Sequence, residues 1–132
     1  MNTNTDDLRA LRTIQYGLLG GVLLLGIIAF VLVESTGPLA SELTPFEDYL
    51  VIGMAVLLLA LFGGTFVVRR QRTAAPPPDA QRSQTIIGWA IAEGGGILGG
   101  VYLLLLGDPT FWAVGFAMQL FVVFVVLPLP NP

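Results

Sequence analysis

The chain has 132 residues, 55% of them hydrophobic and only 11% charged, and it contains neither histidine nor cysteine. A mean hydropathy of +0.80 places it outside the soluble globular range and among integral membrane proteins. A net charge of −3 argues against a nucleic-acid partner, and the missing residue types exclude imidazole- or thiolate-held metal and haem, disulfides and thiol nucleophiles.

All six basic residues are arginine, so a lysine Schiff base is also excluded. No cofactor is implied. No nucleophile and base pair, phosphate loop or metal cluster stands in the sequence, so catalysis is not expected.

Four apolar runs follow one another, at about 14–33, 49–68, 85–106 and 111–127, each near the about 20 residues that span a bilayer as a helix. The expected fold is an all-α, four-helix transmembrane bundle forming one domain over 1–132. Arg9 and Arg12 precede the first run in the manner of a secretion signal. That run is longer than a signal's apolar core, and no small-residue cleavage site follows at Val33-Glu34-Ser35, so a retained anchor is expected.

The remaining arginines, Arg69, Arg70, Arg72 and Arg82, fall between the second and third runs, whereas the other two connections carry acids and no base. Positive-inside reasoning puts both termini and a proline-rich loop at 69–84 in the cytoplasm of a cell whose plasma membrane holds the protein. Within that loop Pro76-Pro77-Pro78 favours an extended polyproline spacer.

Helix 2 is expected to start at Thr44-Pro45-Phe46-Glu47, with Thr44 as the capping residue and Glu47 completing a capping box. Asp108-Pro109 repeats the cap-then-proline pattern for helix 4, and Pro128 with Pro130 ends it.

Glu93 is the one charge inside an apolar run. Carboxylates at such depth are costly and usually face a protein interior or a water path, so Glu93 is the candidate ion- or proton-linked residue. A neutral carboxyl is the cheaper form there, so a protonated resting state is expected. Counting about 1.5 Å per residue puts Gln119 of helix 4 at the same depth, with Gly21 or Val22 of helix 1 and Ala60 of helix 2 nearby. A hydrogen bond between Glu93 and Gln119 is expected, either serving the ionisable site or fixing helix register.

Helix 3 also places Gly88, Ala92, Gly95, Gly96, Gly99 and Gly100 at spacings of three and four, including two overlapping G-x-x-x-G pairs. Such a face lets another backbone approach closely, with Gly17 and Gly21 on helix 1 and Gly53, Ala60 and Gly64 on helix 2 as counterparts. Tyr16, Tyr49, Trp89, Tyr102, Phe111 and Trp112 read as interface anchors or packing.

The stretch Ala90-Ile91-Ala92-Glu93-Gly94-Gly95-Gly96-Ile97-Leu98-Gly99 resembles the carboxylate-bearing helix of rotary ATPase proteolipid, or c, subunits. That resemblance implies reversible binding of a proton or a monovalent cation at Glu93 inside an oligomer. The whole chain is similar to small uncharacterised four-helix bacterial membrane proteins with Glu-Gly in the third helix, for which no activity is implied. The expected partners are the lipid bilayer and either further copies or a membrane complex. The competing expectation is a non-catalytic assembly subunit whose glycine-rich helix 3 docks partner helices.

Overall fold

A computed structural model describes residues 5–74 and 78–129. Four helices make up the fold: α1 (Thr5–Thr36), α2 (Glu47–Ala74), α3 (Pro78–Leu106) and α4 (Thr110–Phe121). A 3₁₀ turn, Ser41–Phe46, leads into α2, and α4 runs on into a π-helical turn, Val122–Val126. Among the described residues there is no strand. α1, α2 and α3 are long and apolar enough to cross a membrane, whereas the last helix, Thr110–Val126, is shorter. At about 1.5 Å per residue that last helix reaches about 25 Å, just under the hydrocarbon thickness of about 30 Å.

The helices overrun the apolar runs at the arginine-bearing end. α2 continues through Arg69, Arg70 and Arg72 to Ala74, and α3 begins at Pro78, so the expected loop at 69–84 is largely helix. Residues 75–77, which hold part of the expected polyproline segment, lie outside the described residues. Arginine, glutamine and alanine are good helix formers, and a helix satisfies its own backbone in water as in lipid, so nothing at the membrane boundary forces it to stop. α1, at about 48 Å, extends the same way, and its Asp7 pairs with Arg82 of α3 at 2.8 Å.

The opposite end is written in turns. Gly37, at φ +82°, donates its N–H to the Val33 carbonyl and ends α1, and Gly107, at φ +79°, does the same to Leu103 at the end of α3. The freed carbonyls of Leu104 and Leu105 then accept from Leu39 and Ala40, which ties the α1–α2 connection to the tip of α3. The Thr44 capping box is not formed: the Thr44 hydroxyl donates to the Ser41 carbonyl, Pro45 lies inside the 3₁₀ turn, and α2 starts at Glu47. Asp108 does not cap in the expected way: Pro109 holds the N-cap position of α4, and Asp108, one residue before it, accepts with its carboxylate from the Thr110 N–H at 2.9 Å.

α3 is the hub, in contact with every other helix. Its glycines decide how close each approaches. At Gly99 an added Cβ would lie 2.5 Å from the Phe111 carbonyl oxygen, and at Gly115 of α4 it would lie 2.7 Å from the Gly95 oxygen, so α3 and α4 meet backbone to backbone. Gly96 receives Val22 and Gly100 receives Leu25 from α1, Gly95 receives Leu58 from α2, and Gly88 receives Leu127. Ala92 is buried in the same core.

α1 presents Leu11, Gln15, Leu19, Val22, Gly26 and Ala29 inward at helical spacing. Its other side is apolar and bare: Leu24 is 57% exposed, as Leu59 on α2 is 65% exposed. Apolar outer faces of this extent are what a bilayer covers.

Candidate functional site

Glu93 lies on the shoulder of α3 that faces α1. Its Oε1 is 3.9 Å from where a Gly21 Cβ would stand, and Gly17, one turn away on α1, has nothing within 4 Å of its own Cβ position. The carboxylate is half-buried on the α1 side of α3, with Gly21 as its neighbour on α1. Among the described residues no hydrogen bond or ion pair reaches it. The nearest arginine on its own helix, Arg82, is about 16 Å away along the axis.

Gln119 sits within a turn of that level, as its depth in the sequence implies, but inside the bundle. It is fully buried, and its Oε1 shares the Gly96 notch with Val22, 3.4 Å from the Gly96 Cβ position. Neither amide atom of Gln119 has a partner among the described residues. The expected hydrogen bond to Glu93 is therefore not made.

The reason is azimuth rather than depth. Three residues along a helix is a rotation of about 60° short of a full turn, so Glu93 faces the outer shoulder while Gly96 faces inward. Val22 occupies the inward notch.

The helix-packing residues divide in the same way. Gly88, Ala92, Gly95, Gly96, Gly99 and Gly100 are all covered from within the chain, whereas Gly17 and Gly21 on α1 remain uncovered. Gly53 on α2 is likewise open, and Gly64 meets only Ile91. Ala60, at the expected depth, points outward.

Two glycines that matter lie outside that set. Gly26 accommodates the Trp112 ring so closely that any side chain would collide with it, and Gly115 carries the contact with Gly95. Gly26 could have been found from its place in the inward series of α1.

A group of side-chain donors holds the end of α4 beside this site. The π turn lets Leu127 N–H bond to the Val122 carbonyl and leaves the Val123 carbonyl to Gln15 Nε2 at 3.5 Å. Trp89 Nε1 donates to the Leu127 carbonyl at 2.8 Å, and an Arg72 Nη1 donates to the Pro128 carbonyl at 2.6 Å and to Thr85 Oγ1 at 3.1 Å. Each of the three other helices thus supplies a donor to carbonyls that α4 cannot satisfy itself.

Trp112 Nε1 donates to the Val22 carbonyl at 3.0 Å, which seats α4 on α1 next to the Gly96 notch. The two tryptophans are packing elements with a polar tie. The space lined by Leu58, Phe62, Thr65, Gly95, Gly115 and Met118 is only about 10 Å³, about the size that holds one water.

Against known proteins, no family model matches the chain, and neither does any curated protein or any solved structure.

Proposed function

We propose that this chain is a small multi-pass protein of the plasma membrane, with both termini in the cytoplasm, whose Glu93 binds and releases a proton or a monovalent cation. The observation that carries the reading is the setting of Glu93. It is an acid within an apolar helix, with no hydrogen bond or ion pair among the described residues, and it faces α1 beside Gly21. An acid with a fixed counter-ion would be locked in one state. One without a fixed partner can change state as water or a cation comes and goes.

The path for that exchange runs along the α1–α3 edge. The space enclosed by α2, α3 and α4 is too small for a conducting route, so the reading places the chain in an oligomer or larger complex that covers the Glu93 side of the α1–α3 seam. This is the chemistry implied by the likeness of 90–99 to the proteolipid carboxylate helix. Gln119 acts as the buried neighbour that keeps the Gly96 notch polar.

The assembly alternative needs another surface, because Gly88, Gly95, Gly96, Gly99 and Gly100 of α3 are already covered from within the chain, although Gly94 is not. A docking helix would meet uncovered glycines such as Gly17 and Gly21 on α1 or Gly53 on α2 instead.

Replacing Glu93 by Gln keeps the shape and removes the ionisation. In proteoliposomes loaded with a pH- or cation-sensitive dye, the wild type is expected to dissipate an imposed gradient and Glu93→Gln to leave it standing. Equal flux from both proteins, with equal assembly, would refute the proposal.

A further inference from the structure

At the arginine-bearing end, the seam between α1 and the π turn with its following segment opens into a cleft of about 270 Å³ lined by Arg12, Gln15, Tyr16, Phe124, Pro128 and Leu129. One wall is α1; the other is the π turn and the segment Pro128–Leu129 after it. Gln15, 3% exposed, forms the floor, with its amide nitrogen directed to the Val123 carbonyl. Tyr16 and Phe124 are about half exposed on either side.

The arginines at this end are not equivalent. Arg72 is tied to Pro128 and Thr85, and Arg82 to Asp7, whereas the guanidinium groups of Arg9, Arg12, Arg69 and Arg70 make no hydrogen bond or ion pair among the described residues, and of these only Arg12 lines this cleft. Arg12 is thus a cation at the mouth of a cleft whose remaining walls are one phenol, one buried amide and apolar surface.

We infer that this cleft binds the phosphodiester headgroup of an anionic phospholipid, with Arg12 as counter-ion, the Tyr16 hydroxyl as second donor and an acyl chain laid along Phe124. The volume falls below the about 300–1,000 Å³ typical of whole-molecule pockets, which suits a headgroup rather than a complete ligand. Guanidinium matches phosphate oxygens with paired donors, and an amphipathic tyrosine ring belongs at the headgroup level. A free phosphate offers the same anion but has no use for the apolar wall, which includes Val123, Leu129 and the half-exposed Phe124. The inference is independent of what Glu93 does.

The test uses the full chain in phosphatidylcholine nanodiscs with and without phosphatidylglycerol, with native mass spectrometry counting retained lipids. The wild type is expected to retain phosphatidylglycerol over phosphatidylcholine, Arg12→Gln to lose that preference about tenfold, and Arg9→Gln to keep it. Tyr16→Phe is expected to lose about threefold and decides the matter alone if Arg12→Gln does not fold. Equal losses in Arg9→Gln and Arg12→Gln would mean diffuse surface charge and overturn the site. Displacement of the lipid by inorganic phosphate that itself stays bound would overturn the lipid assignment.

Discussion

Adding one methyl group at Gly99 tests whether α3 and α4 truly meet backbone to backbone. In Gly99→Ala the new Cβ would stand 2.5 Å from the Phe111 carbonyl oxygen and 2.6 Å from the Trp112 Cα, where 3.4 Å is an ordinary contact. No rotamer change relieves this, since both obstacles are main chain. The helices must part by about 0.9 Å, and a gap of about 0.5–1 Å forfeits a quarter to a half of the dispersion attraction across it. Overpacking of this kind costs about 1–3 kcal/mol, against which alanine recovers at most about 1 kcal/mol of helix propensity.

Gly17→Ala supplies the internal control. Nothing lies within 4 Å of its Cβ position, so only the propensity gain remains and stability should hold or rise. Unfolding in detergent micelles, followed by the fluorescence of Trp89 and Trp112, should show Gly99→Ala unfolding at lower denaturant and Gly17→Ala at the wild-type midpoint or above. A Gly99→Ala protein as stable as wild type, or a Gly17→Ala protein less stable than Gly99→Ala, would refute the packing scheme.

Other substitutions probe the polar ties. Gln119→Leu removes a fully buried amide that has no partner, so stability should be unchanged or higher by up to about 2 kcal/mol; a marked loss in the same unfolding assay would show that the amide is engaged. Trp112→Phe gives up the bond to the Val22 carbonyl and should cost about 0.5–1.5 kcal/mol in that assay. Arg72→Met keeps the apolar stem but drops the donors to Pro128 and Thr85, and hydrogen exchange should quicken at Leu127 and Leu129 while the amides of α1 stay protected.

How far the sequence reveals this fold depends on which physical signal marks each feature. At the arginine-free end Gly37 and Gly107 end their helices at positive φ, a local backbone need that only glycine answers cheaply, and Asp108 marks the turn into α4. At the other end the apolar runs mark only where hydrophobicity stops, and helix propensity carries α2 and α3 past it. The Thr44 box fails for a different reason: a proline one residue later fits the tighter 3₁₀ turn as well as the first turn of an α-helix, and local pattern cannot choose between them.

The site shows the same division between depth and direction. Counting residues places Glu93, Gln119 and the Gly21–Val22 pair within a turn of one another, because rise per residue is nearly constant. Direction needs to know which neighbour fills which notch, and that is settled by Val22 entering Gly96 and by Gly115 meeting Gly95. Once α4 takes the inward glycines of α3, Gln119 is enclosed with it, and Glu93, about 60° further round, is left on the outer seam. The crowding that buries the amide therefore also exposes the acid, so a substitution that loosens the α3–α4 contact should alter both environments together.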